Sequence, residues 1–141
     1  MNDPYTLPNG VLRNNLGITD HQLLAAAEAD ITRARLVMLA GRPLPGTYDL
    51  GHLQAFHATI FGDIYAWAGE LRTVNGDLNV LHPFREGNGR AQRALLVQLS
   101  TDAGYVLNWS GMDPQRNEDA SVKSFLGDND LLEQLLDELI R

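Results

Sequence analysis

The sequence predicts an all-α fold, and three observations carry that expectation. Strand signals are almost absent from the 141 residues. Apolar residues recur at spacings of three and four in several segments. Those segments begin on capping residues and end on glycines.

Residues 1–18 hold Pro4, Pro8, Gly10, Asn14 and Asn15 and read as an irregular arm. The first helix is expected to start at Thr19, which has capping-box spacing to Gln22, with Ile18 and Leu23 as a hydrophobic staple. Leu24, Ala27, Ile31, Ala34 and Met38 mark its inward face, and Gly41 followed by Pro43 ends it. A second helix is expected over Leu50–Phe61, capped by Asp49, with Leu53, Phe56 and Ile60 inward and Gly62 as its stop. A third spans Gly89–Ala103 and stops at Gly104. Asp113 and Pro114 open a fourth, because proline is tolerated at the first helical position. The last opens at Asp128 or Asn129 and presents Leu131, Leu132, Leu135, Leu136 and Leu139 as a core stripe. No repeat or long linker interrupts this order, so one domain over residues 1–141 is expected.

Composition narrows the function. Eighteen acidic side chains against 11 basic give a net charge of −7, the opposite of what gripping nucleic-acid phosphates requires. The absence of cysteine excludes disulfides and thiol nucleophiles. No stretch approaches the roughly 20 apolar residues of a membrane span, and Met1–Gly10 has neither the basic region nor the apolar run of a signal peptide. A cytoplasmic protein with no membrane or direct nucleic-acid partner is the expectation.

One segment carries chemistry: His82-Pro83-Phe84-Arg85-Glu86-Gly87-Asn88-Gly89-Arg90, then Arg93. His82 can accept a proton near neutral pH, as a general base must, and Pro83 biases it towards an extended conformation. Gly87, Asn88 and Gly89 precede a helix, so their N–H groups can form an anion nest. Glu86 beside that nest suits Mg²⁺ shared with phosphate oxygens. Arg90 and Arg93 share a helix face near the N-terminus, where positive charge opposes the dipole unless an anion binds there. Arginine also suits bidentate phosphate contact. Together these parts equip nucleotidyl or phosphoryl transfer from a Mg-nucleotide. No Walker lysine follows the glycines.

The string from His82 to Arg93 resembles the motif of the Fic family, HPF-x-[DE]-G-N-[GK]-R followed three residues on by arginine. Tyr65, Trp67, Ala68, Gly69 and Arg72 resemble that family's Tyr-x-Trp-Ala-Gly-x-x-Arg stretch, and residues 5–20 resemble the arm of bacterial toxin-like members. The resemblance implies transfer of AMP from ATP to a hydroxyl side chain of a target protein, with pyrophosphate leaving. It implies His82 as the base, Phe84 as a plug under the loop, and Glu86 as the Mg²⁺ ligand. The amides of Gly87, Asn88 and Gly89 would bind phosphate oxygens, with Arg90 and Arg93 on the β- and γ-phosphates; Arg85 has no role. Bacterial type II topoisomerases are targets that the resemblance suggests.

Two features depart from that family. No [ST]-x-x-x-E-[GN] inhibitory string occurs, so restraint is expected from a separate antitoxin. Only Gly76–Leu81 separate Asn75 from His82, where relatives carry a target-docking flap and most of a helix. Nucleotide chemistry is expected to be retained and target docking impaired. The alternative is a nucleotide- or partner-binding remnant with little transfer activity. Structural readings stand beside the functional ones: Glu86 as complement to a helix N-terminus, and Arg93 as a surface ion-pair residue. His21, His52 and His57 read as packing or surface residues, Trp67 and Trp109 as core or arm anchors, and Tyr5 as a packed arm residue.

Overall fold

The structure, a computed structural model, describes residues 3–71 and 84–141. Among these, every regular element is helical: α1 (His21–Gly41), α2 (Leu50–Phe61), α3 (Asn88–Asp102), a 3₁₀ turn (Trp109–Gly111), α4 (Pro114–Phe125) and α5 (Asp130–Leu139). His82, Pro83 and the 76–81 connector lie outside the described residues. The chain divides into two compact units, whose boundary at Leu95/Leu96 falls within α3.

In the first unit α1 packs on α2. Its core joins Val11, Leu24, Ile60, Phe61, Ile64, Tyr65 and Trp67. Full burial of side chains such as Ile60 and Phe61 contributes about 1.5–3 kcal/mol each. Asp49 caps α2 as expected, accepting from the His52 amide. In α1, however, the cap is Asp20, whose carboxylate accepts from the Leu23 amide; Thr19 lies one residue outside. An acidic cap immediately before the first turn satisfies an orphan donor there, as the Thr19 box was expected to do.

The inward face of α1 follows expectation at Leu24, Ala27 and Ile31 and departs from it further along. Met38 is half exposed and Ala34 is exposed, while Glu28, Thr32, Arg35, Leu36 and Leu39 are buried or partly buried. Three of those positions are polar, which is why apolar spacing missed them.

The N-terminal arm is more ordered than its composition suggests. Leu7 donates its amide to Val11 and Arg13 donates to Tyr5, forming a small loop closed by an isolated Thr6–Leu12 bridge. Val11 is fully buried, and Asn15 donates its amide to the Ile64 carbonyl. Tyr5 packs edge-on against Trp67 at 6.0 Å between ring centroids.

In the second unit α4 packs on α5. Its core is Leu107, Ala120, Leu135 and Leu139, with Leu131 and Leu132 against it. Asp113 caps α4 through the Gln115 amide, with Pro114 at the first turn. A Leu107–Ile140 bridge and paired amides of Val106 and Arg141 tie the end of α5 back to the segment before the 3₁₀ turn.

Candidate active site

The segment from Phe84 to Arg93 turns from a tight loop into α3, and neighbouring elements hold it rigidly. Phe84 is fully buried and stacks on His57 of α2, with centroids 4.0 Å apart. Asn88 is buried. Its Oδ1 accepts from the Phe84 amide at 2.8 Å and its Nδ2 donates to the Phe84 carbonyl at 3.0 Å. One side chain thus holds Phe84 by both its backbone N–H and its carbonyl.

Gly87 sits at φ +76°, in the left-handed region, and a Cβ there would lie 2.2 Å from Phe61 Cζ. The close approach and the backbone angle both require glycine. The Gly87 carbonyl accepts the first helical bond, from Ala91, so the N–H groups of Asn88, Gly89 and Arg90 have no intrahelical acceptor. They form the positive end of α3.

The Glu86 carboxylate is exposed at that end, accepting from the Gly87 amide at 3.3 Å. Among the described residues no group of three His, Asp or Glu side chains could enclose a metal ion. A single exposed carboxylate beside amides that have no intrahelical acceptor fits Mg²⁺ that arrives with phosphate oxygens and keeps its waters, not an all-protein cage.

The two arginines differ sharply. Arg90 pairs with Glu28 of α1, donates to Thr32 Oγ1 at 3.2 Å, and lies 4.8 Å above the Phe61 ring centroid. Arg93, partly buried, makes none of the ion pairs or hydrogen bonds found among the described residues. Burial and the like charge of Arg90 push the Arg93 pKa down. A desolvated cation with no carboxylate partner among the described residues has the electrostatic profile of an anion site. Arg85 pairs with Asp3 of the arm at 2.8 Å, a contact that no sequence signal announced.

Two further side chains, His57 and Tyr65, shape the site and were not singled out as functional in the sequence. His57 Nδ1 accepts from the Gly69 amide at 2.8 Å, which leaves the proton on Nε2 to be donated to the Glu86 carbonyl at 2.7 Å. Burial first, then the charge of Arg90, hold this imidazole below its ordinary pKa, against the opposing hydrogen bond to Glu86. Tyr65 donates its hydroxyl to Glu28, and burial with that carboxylate raises its pKa far above the usual phenol value. Only Tyr65 carried a signal, inside the Tyr-x-Trp-Ala-Gly stretch. His52 accepts from the Tyr48 amide and its Nε2 contacts the Leu44 carbonyl, so it is a structural residue of the turn before α2.

An all-helical domain with a glycine loop opening a helix beside paired arginines has the architecture of a Fic domain. Backbone comparison agrees. The N-terminal Fic domain of a VirB-translocated Bep effector from Bartonella quintana superposes with a TM-score of 0.84 at 21% identity, covering 97% of this chain and 91% of that one. BepC from Bartonella tribocorum, with bound AMPPNP, gives 0.81 at 19% identity, covering 97% and 96%. By sequence the chain is 31% identical to the "Probable protein adenylyltransferase Fic" of Salmonella typhimurium, covering 98% of this chain and 92% of that protein. It is 32% identical to the protein adenylyltransferase VbhT of Bartonella schoenbuchensis, covering 96% of this chain but 38% of that protein. The chain belongs to the Fic family of protein adenylyltransferases. No protein-family model matches it. The VbhT match runs over 183 aligned positions, more than the 141 residues of this chain, so that relative carries tens of residues with no counterpart here.

Proposed function

We propose that this chain transfers AMP from Mg-ATP to a hydroxyl side chain of a target protein. The observation that carries the reading is Arg93, which has no ion pair among the described residues, beside the amides of Asn88, Gly89 and Arg90, which have no intrahelical acceptor. Those groups offer positive potential at one point, where a chain of phosphates would restore the balance. The bound nucleotides of solved Fic domains, AMPPNP in BepC and ADP in a Bartonella quintana effector, support ATP as the substrate.

In this mechanism His82 accepts the proton of the target hydroxyl as its oxygen bonds to the α-phosphorus. The bond from that phosphorus to the β-phosphate bridging oxygen breaks, and pyrophosphate leaves. Mg²⁺, held by Glu86, would neutralise charge on the phosphates. Asn88 and Gly87 keep the amides aimed outward, His57 fixes the height of Glu86, and Arg93 binds the charge that develops on the leaving group.

The aligned span that outruns this chain favours a second reading, a nucleotide-binding Fic remnant that transfers slowly because its docking flap is missing. The same shortening leaves the target, a topoisomerase by resemblance, and any antitoxin partner as proposals that rest on family likeness. ATP labelled at the α- or at the γ-phosphate separates the chemistries. Label that enters protein from the α-position alone supports AMP transfer; label from the γ-position would replace it with phosphate transfer. Tight nucleotide binding with no label from either position supports the remnant.

A further inference from the structure

We infer that Glu28, on α1, is a positioning residue for nucleotide binding, acting through Arg90; this rests on the nucleotide reading of the site given above. Its carboxylate is almost fully engaged. One oxygen receives Arg90 and the other receives the Tyr65 hydroxyl. The Glu28 side chain is 13% exposed and that of Arg90 27%. Thr32, one turn along α1, takes a second guanidinium nitrogen at 3.2 Å, and Phe61 of α2 lies beneath the guanidinium plane. Two elements, α1 and α2, therefore converge on one side chain of α3's first turn.

An arginine has five N–H donors, and the contacts to Glu28 and Thr32 occupy two of its nitrogens on the side facing α1. The remaining donors are held in one direction before any ligand arrives. Freezing a long side chain in advance removes an ordering cost that binding would otherwise bear. The polar positions on the inward face of α1 acquire a reason: Glu28 and Thr32 are buried there because the arginine needs them.

A contrary reading has the same contact acting as a brake, since Glu28 also neutralises Arg90. The two readings separate in the amide variant. Glu28→Gln keeps an acceptor for Arg90 and removes the charge, whereas Glu28→Ala removes both. Positioning requires Glu28→Ala to raise the Mg-ATP dissociation constant about ten-fold, with Glu28→Gln recovering most of the loss. Thr32→Val, which removes one of the two polar contacts, is expected to weaken binding by a few-fold in the same direction.

The experiment is calorimetric titration of the full chain with Mg-ATP, with Asp30→Asn on the exposed face of α1 as the control. Far-UV circular dichroism at the same temperature establishes that each variant is folded, and Thr32→Val carries the test if Glu28→Ala is not. Unchanged or tighter binding in Glu28→Ala, or in Thr32→Val where Glu28→Ala does not fold, overturns the inference, and tighter binding in both Glu28 variants identifies a brake. If the unaltered chain binds Mg-ATP without transferring label, the AMP-transfer reading falls while the Glu28 comparison still stands on binding. If the unaltered chain does not bind Mg-ATP, both fall.

Discussion

His57 and Glu86 are joined by a 2.7 Å hydrogen bond from Nε2 to the main-chain carbonyl, and the same imidazole receives the Gly69 amide on its other nitrogen. A neutral, buried ring thereby connects α2, the turn after it and the loop that carries the acidic residue. Both nitrogens are committed, so protonation at Nδ1 would break the Gly69 contact.

The pH dependence of stability follows from this. The folded imidazole is held below the ordinary histidine value of 6.5, so under acid conditions the unfolded chain binds the extra proton. The His57 contribution is therefore complete above about pH 6.5 and is lost as the pH falls below it, with a slope of up to about 1.4 kcal/mol per pH unit. Urea unfolding at a series of pH values should show that His57→Gln has a shallower acid limb than the unaltered chain. Parallel limbs would contradict the assignment.

Gly87 should tolerate no side chain. Alanine there must adopt a left-handed angle with its Cβ inside the van der Waals radius of the Phe61 ring. Gly87→Ala is expected to cost about 2–4 kcal/mol, read as a fall in the urea midpoint without a change in slope. A loss under about 1 kcal/mol would mean the loop relaxes freely.

Asn88 works through its side-chain amide at both ends. Asn88→Asp keeps the acceptor for the Phe84 amide and loses the donor to the Phe84 carbonyl. It is expected to destabilise by about 1–3 kcal/mol, with Asn88→Ala at least as damaging because two buried backbone groups are then orphaned. Thermal unfolding checks the order of the two variants.

Arg93 predicts opposite signs for stability and binding. Removing a partly buried cation that has Arg90 as a like-charged neighbour and no ion pair among the described residues should leave folding unchanged or raise it by up to about 1 kcal/mol at low salt. The same Arg93→Gln change should weaken Mg-ATP binding at least about ten-fold. Parallel unfolding and calorimetric curves decide; a destabilised variant with intact affinity would make Arg93 a structural residue.

The fold was legible in the sequence where caps and apolar spacing agreed. Asp49 and Gly62 bound α2 at the expected residues, and Asp113–Pro114 opened α4. It was misread where buried positions are polar. Glu28 and Thr32 interrupt the apolar stripe of α1, so spacing chose Ala34 and Met38 instead, and Val11 was hidden in an arm that composition marked as irregular. The motif residues stood out because glycines, a carboxylate and arginines at a helix start break local rules together. Their supports did not, because His57, Phe61 and Glu28 become part of the site only through contacts 26 to 62 residues away in the chain.

Transfer itself is the most direct test. The purified chain and its His82→Ala variant are incubated with Mg²⁺ and α-labelled ATP in bacterial lysate, and labelled protein is counted after separation. The account predicts label on protein with the unaltered chain and none with His82→Ala. Equal labelling by both forms, or none by an unaltered chain that binds Mg-ATP, would contradict it.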